Sequence, residues 1–217
     1  LNRRSKVIDY IFISHFDSDH CQGLLYVMQN IKVKNVIISK QFEYNENYKK
    51  FIKIAKQKKI NIKIANKGEK IYIEKNLYFE VLWPDALEPI SDNKINNNSL
   101  VCKLVYKKFS ILFTGDIEKI AEEKIIETYK NETNKLKATI IKIPHHGSKT
   151  SSTMAFIEKV KPQEALIGVG KKNKFGHPAI TTIQTLKNQN IQIYRTDEMG
   201  EITIKTNGKK YKVTKLL

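Results

Sequence analysis

SHFDSDHCQGL, residues 14–24, sets His15, Asp17, Asp19 and His20 within six consecutive positions. The run follows VIDYIFI at 7–13, an apolar stretch with the length and β-branched content of a buried strand. Beyond it Leu24, Leu25 and Met28 recur at helical spacing, which predicts a helix over 19–29. Four ligand-type residues therefore occupy a strand-to-helix junction. In extended chain, side chains two residues apart point the same way, so His15 and Asp17 can grip one ion. Asp19 and His20, on the turn into the helix, can face a second. A plainer reading makes Asp19 the N-cap of that helix, with Gln22 completing a capping box.

The other ligand-type residues fall on similar junctions. Asp116 follows an apolar run at 109–114, in ILFTGDI. His145 and His146 follow a strand expected over 139–143, in IIKIPHHGSKTSS. His177 follows a strand at 165–169 through the basic loop GKKNKFGHP. Side chains at the carboxyl ends of neighbouring strands converge, and α/β folds build their sites there. Asp116 has two carboxylate oxygens and can bridge two ions. A metal pair ~3.5–4 Å apart clamps a phosphoryl group and orients a water. The plainer alternative is that Asp116 caps a helix over 117–130.

The rest of the chain alternates strand and helix. Further strands are expected at 36–39, 61–65, 70–74 and 77–83, with a Lys-rich helix at 45–58. A hairpin is expected over 99–106 and 109–114. Helices follow at 152–160, with Ser151 or Ser152 as N-cap, and at 180–190, then a strand at 191–194 and a last strand pair turning at Asn207-Gly208. The longest irregular stretch is 84–98, a loop across a site or a surface excursion. No repeat or linker interrupts the pattern. It predicts one α/β domain over 1–217, a sheet-on-sheet core with helices outside.

Composition bounds the class. Of 217 residues, 41% are hydrophobic and 28% charged, a globular balance. Lys and Arg total 39 against 22 Asp and Glu, a net charge of +17. Such a surplus favours polyanionic partners, although a Lys-, Ile- and Asn-rich composition also raises it without any binding role. Cys21 and Cys102 form no close pair, and are two buried thiols or one disulfide. No apolar run approaches the ~18 residues of a transmembrane helix. The chain starts at Leu1, as a piece of something longer would.

HxDxDH at 15–20 resembles the HxHxDH signature of the metallo-β-lactamase fold with its second His replaced by Asp. NNNSLV at 96–101, LFTGDI at 112–117, PHHGSKTSS at 144–152 and GKKNKFGHP at 170–178 resemble the metallo-β-lactamase-like C-terminal domain of ComEC-type DNA-uptake channels. The likeness runs in order through almost the whole chain. It implies an αββα sandwich apparently lacking its first strands, since only six residues precede Val7. It implies two divalent ions, Mn²⁺ or Zn²⁺, held by His15, Asp17, Asp19, His20, Asp116 and His146, the last in preference to His145. Asp19, His145 and His177 become the catalytic residues. His145 and His177 contact the phosphate or protonate the leaving oxygen, and an exchange of roles between His146 and His177 stays open. The partners implied are DNA and the membrane channel portion of a longer parent, with the domain on the extracytoplasmic side. The implied reaction is metal-dependent hydrolysis of a DNA phosphodiester.

The wider superfamily has one more ligand His between Asp19 and Asp116. Here Asn98 or Ser99 stands in that place, so one metal position is oxygen-rich and suits Mn²⁺ better than Zn²⁺. Asn98 and Ser99 count as candidate substrate contacts. So do Ser148 and Lys149, where GSKTS runs into a helix N-terminus suited to an anion, and Lys171, Lys172 and Lys174. Phe175 and Trp83 are candidates for stacking on bases. Two other function classes compete: a basic DNA guide without catalysis, and a small-molecule hydrolase acting on a lactam, lactone or phosphocholine-type ester. The charge and the lysine loop speak for a long polyanion, and the missing His speaks against a β-lactamase.

Overall fold

The structure, a computed structural model, describes residues 7–216. The expectation about strands ahead of Val7 falls outside those residues. β1 (Val7–Phe12), β2 (Lys32–Ser39) and β3 (Asn61–Ala65) form a parallel sheet in the order β1-β2-β3. Helices α1 (Ser18–Asn30) and α2 (Glu46–Lys58) make its two crossovers. β4 (Lys70–Glu74), β5 (Leu77–Trp83), β6 (Val101–Tyr106) and β7 (Phe109–Phe113) then run antiparallel, with the short helix α3 (Lys94–Asn97) between β5 and β6. The same sheet continues in parallel through β8 (Ile140–Lys142), β9 (Glu164–Ile167) and β10 (Gln192–Arg195). Its crossovers are α4 (Lys119–Thr128), α5 (Met154–Val160) and α6 (Ile180–Asn188). A short helix α7 (Thr196–Met199) leads to the hairpin β11 (Glu201–Thr206) and β12 (Tyr211–Leu216).

Strand alternation builds the layers. In β2, Val36 and Ile38 join Phe51, Ile54, Leu25 and Met28 under α1 and α2. Ile37, on the opposite face, joins Val81, Leu100 and Ile71 between the sheets. In the second sheet Leu112 and Ile141 face Ile117, Ile125, Phe156 and Leu186 of the outer helices and the segments that lead into them. Ile111 and Ile140 face the other way and pack on Ile204 and Tyr211 of the last hairpin. A two-residue period buries both faces of these strands. The result is helix, sheet, sheet, helix, the αββα order expected. Cys21 and Cys102 are both free and buried. Burial pushes their thiols up to about 11 and about 12, so neither is a thiolate at neutral pH.

The helix starts differ from expectation. Asp17, not Asp19, is the N-cap of α1, and its side chain makes no capping bond. Glu118, not Asp116, takes that place for α4, also without a side-chain bond. Asp19 and Asp116 thus keep their carboxylates free of capping. Thr153 caps α5 instead of Ser151 or Ser152, its Oγ1 accepting from Phe156 N at 3.3 Å. The turn ahead of α5 does hold an anion, but an internal one. The buried Glu122 carboxylate accepts from Ser152 N at 2.5 Å and Thr153 N at 2.8 Å. Burial raises its pKa, and those hydrogen bonds offset part of the rise. The amides at 152 and 153, where the 147–151 segment runs into the helix, are therefore already taken. Glu122→Ala orphans two buried amides and leaves a cavity, and is expected to cost about 2–4 kcal/mol in urea denaturation. Glu122→Gln keeps the volume and one acceptor but sets its NH2 against the other amide, and is expected to cost less than Glu122→Ala without being neutral.

Candidate metal centre

Loops after β1, β7, β8 and β9 meet where the two sheets splay. Leu100 N donates to Ser14 O at 2.8 Å and ties one sheet to the other there. Gly115 turns the chain after β7 with φ +56°, and a Cβ on it would lie 2.5 Å from Ser99 Cβ. Only glycine fits this turn, and it presents Asp116 inward, 3% exposed. After β8 comes a 3-10 turn, Pro144–Gly147, with His145 and His146 at φ 49° and 53°. Left-handed backbone at a non-glycine residue costs about 1–3 kcal/mol and is retained where a site needs it. Gly147 follows at φ +80°, and a Cβ there would lie 2.7 Å from Pro178 Cβ. Ala179 N also donates to Gly147 O at 2.8 Å, which holds the His177 loop against the histidine pair.

Asp19, His20, Asp116 and His146 each offer a ligand atom, and the four atoms lie within 4.8 Å of one another. Asp116 Oδ2 is 3.1 Å from His20 Nε2 and 3.3 Å from His146 Nε2. His146 Nε2 is also 3.1 Å from Asp19 Oδ2 and 3.1 Å from His20 Nε2. Two imidazole nitrogens so close to each other converge on a common point. His146 Nδ1 donates to Gly168 O at 2.6 Å. That bond keeps a proton on Nδ1, so Nε2 is the atom that would face an ion. Two nitrogens and two carboxylates suit one Zn²⁺ or Mn²⁺ ion.

A second group lies alongside. The His15 and His20 rings are 4.1 Å apart, and His15 Nε2 is 3.9 Å from Asp17 Oδ2. His15 Nε2 is buried without a hydrogen-bond partner, as an atom reserved for an ion would be. Its Nδ1 faces the hydroxyls of Ser14 at 3.0 Å and Ser99 at 3.3 Å. Burial, with the charge of His20 next, pushes His15 down to about 3, so its ring is neutral at physiological pH. Burial followed by the Asp19 charge raises Asp17. Burial also opposes the Asp116 charge, yet hydrogen bonds from His146 and His20 and the Lys142 charge outweigh it and hold Asp116 far below the usual carboxylate range. The same hydrogen bond raises His146.

The structure sorts the remaining candidates. His146 is inside the cluster. His145 and His177 stand beside it, their rings 5.8 Å apart. Ser99 is at the cluster as a support, its Oγ accepting from Asp116 N at 3.2 Å. Asn98 is not available to a substrate. Its Oδ1 accepts from Ile90 N at 3.0 Å, and its Nδ2 donates to Ile90 O at 2.8 Å and Lys94 O at 2.7 Å. It pins the 84–98 loop. Trp83 is buried, its indole N–H donating to Asn97 O at 2.7 Å, so it cannot stack on a base. Ser148 is buried with its hydroxyl on Thr150 Oγ1 at 3.0 Å. Lys149 lines a groove with Asp92, Lys119 and Glu123, apart from the histidines. Lys171, Lys172 and Lys174 are exposed on the loop that carries His177.

Two residues emerge that the sequence reading did not single out. Lys142 Nζ donates to Gly115 O at 3.2 Å and lies 3.5 Å from Asp116 Oδ1. A lysine inside the apolar strand IIKI was its signal. Glu118 accepts from Thr150 Oγ1 at 2.8 Å and Asn93 Nδ2 at 3.1 Å, and its Oε1 lies 3.3 Å from His145 Nδ1. It stands behind His145, whose buried Nδ1 makes no hydrogen bond, and nothing local in the sequence marks it.

A splayed αββα edge that gathers Asp and His from several loops defines a class of metal-dependent hydrolase folds, and the profile of the metallo-beta-lactamase superfamily matches residues 1–171. The chain belongs to that superfamily. Its relatives include competence proteins of the ComEC type. ComE operon protein 3 of Bacillus subtilis (strain 168) is 34% identical over 197 residues, 91% of this chain and 24% of that protein. Competence protein ComA of Neisseria gonorrhoeae is 28% identical over 90% of this chain and 25% of its own length. The chain thus spans about a quarter of these relatives. Among solved structures, CmlA, a diiron beta-hydroxylase from Streptomyces venezuelae, superposes with TM-score 0.59 at 12% identity, covering 98% of this chain and 46% of that one. Unliganded yeast PDE1 superposes with TM-score 0.52 at 11% identity, covering 87% and 66%. At such identities the likeness is one of fold alone.

An ion that binds only the folded chain stabilises it by about 2.7 kcal/mol at a hundredfold excess over its dissociation constant. Mn²⁺ or Zn²⁺ is expected to raise the melting temperature of the metal-free chain. Asp116→Asn is expected to remove that rise, and Lys149→Ala to keep it.

Proposed function

We propose that the chain is the metal-dependent nuclease domain of a DNA-uptake protein, hydrolysing DNA phosphodiester bonds. The observation that carries this reading is the convergence of Asp19, His20, Asp116 and His146 within 4.8 Å, in a chain related to competence proteins. The net charge of +17 supports a polyanionic substrate.

His20, His146, Asp19 and Asp116 would hold one divalent ion, and His15 and Asp17 would contribute to a second. A divalent pair supplies Lewis acidity to the phosphoryl group and lowers the pKa of the hydrolytic water. Lys142 and Ser99 keep Asp116 oriented. His145, backed by Glu118, and His177 take up the phosphate at the open side of the cluster, where either N–H can donate to a phosphoryl oxygen or to the leaving oxygen. The lysines at 171, 172 and 174 engage flanking phosphates. In the parent protein this domain adjoins a membrane channel on its extracytoplasmic side. Among the described residues no helix is long and apolar enough to cross a membrane.

One observation favours a small-molecule hydrolase instead. An apolar cavity of about 330 Å³, lined by Phe12, Phe79, Leu100, Cys102 and Phe113, abuts His20. Cleavage of single- and double-stranded DNA, titrated with Mn²⁺, Zn²⁺ and Mg²⁺, separates the readings. The parent chain is expected to cleave with at least one of these ions, and Asp19→Ala to be inactive with all. Hydrolysis of a chromogenic lactam with DNA left intact would reverse the assignment. Salt-sensitive DNA binding that survives both chelation and Asp116→Ala, with no cleavage, would leave a DNA guide.

A further inference from the structure

The loop 170–178 has features that holding ions does not require. Phe175 is 82% exposed, and its ring stacks on His177 with centroids 5.8 Å apart and planes 19° from parallel. A lone exposed phenylalanine means little. This one lines a groove of about 300 Å³ together with Asp19, His146 and His177. Its free face therefore opens beside the carboxylate and imidazole of the proposed metal centre.

The pair is held in place by a single side chain. Asn173 Oδ1 accepts from Phe175 N at 3.2 Å and from His177 N at 2.9 Å. Asn173 Nδ2 donates to His177 O at 2.8 Å and Gly170 O at 3.2 Å. That amide closes the loop on itself and fixes the two rings side by side, so little order is left to impose on binding. Lys171, Lys172 and Lys174 lie exposed on the same loop, and none forms an ion pair among the described residues. One loop thus offers a flat aromatic face with cations at its rim, and it leads to the cluster.

A ligand matching all three is planar, aromatic and strung on phosphates. We propose that Phe175, backed by His177, is a stacking platform for an unpaired nucleobase next to the scissile phosphate, and that it makes the domain favour single-stranded DNA. Both faces of a base within a duplex are covered by its neighbours, whereas a base in a single strand frees a face for the ring. The inference rests on the reading of the chain as a DNA phosphodiesterase.

Binding without cleavage tests it. With the metal chelated, fluorescence anisotropy compares a labelled oligothymidylate with an abasic strand of equal length. Stacking is worth about 1–3 kcal/mol per base, so Phe175→Ala is expected to weaken oligothymidylate binding about 5- to 150-fold and leave the abasic strand unchanged. Phe175→Trp is expected to restore the difference between the strands. Lys171→Ala is expected to reduce the salt dependence on both strands alike. Phe175 packs little, so a melting temperature equal to that of the parent shows that the variant is folded. Equal weakening on both strands, or no weakening on either, overturns the platform. If the parent chain binds neither strand at low salt, the DNA reading itself falls and the platform falls with it. Base-dependent binding by a parent chain that cleaves nothing supports the platform and overturns only the catalytic reading.

Discussion

A carboxylate with 3% of its surface exposed stays charged only where positive partners meet it, and Asp116 is that group. His20 and His146 stand on one of its oxygens, and Lys142 faces the other. The rest of the site is arranged so that this can happen. Gly115 supplies the only backbone turn that delivers the side chain past Ser99. The left-handed pair His145 and His146 throws one imidazole inward and the other toward Glu118. Strain in that turn is offset by packing around Pro144 and Gly147, both buried. Removing the Asp116 charge would leave two imidazoles and an ammonium facing one another with nothing between them.

Much of this was legible in the sequence because period and punctuation are local. The strands at 61–65, 70–74 and 77–83 have the limits that the apolar alternation predicted. Asn45 caps α2 as a short polar residue before a periodic run does. The sequence also exposed the ligand-type side chains, since each sits at the end of an apolar strand. It failed wherever a residue acts across the fold. Glu122 reaches the α5 turn from α4, a partner thirty residues away that no spacing rule signals. Asn98 looked like a ligand substitute because it stands where one was expected, but its amide closes a local loop. Thr153 caps α5 in place of the two serines, and the amides of Ser152 and Thr153 bind a carboxylate from α4 that the local sequence does not reveal.

Two groups of lysines within the basic surplus differ in where they stand. Lys171, Lys172 and Lys174 border the groove at the cluster. Lys49, Lys50, Lys53, Lys56 and Lys58 lie on the exposed side of α2, whose apolar side packs on the first sheet. Fields from exposed charges are screened beyond about 8 Å at physiological salt. The lysines of the loop belong to the segment that lines that groove, and those of α2 do not.

The cluster also straddles the two sheets. His20 belongs to the layer built on β1, and Asp116 and His146 to the layer built on β7 and β8. The apolar seam that joins these layers, around Ile37, Val81 and Leu100, is smaller than the cores on either side. An ion held there would take donors from both layers and so would tie the sheets together as a clasp does. Its binding and the docking of the two layers would then be coupled, each strengthening the other.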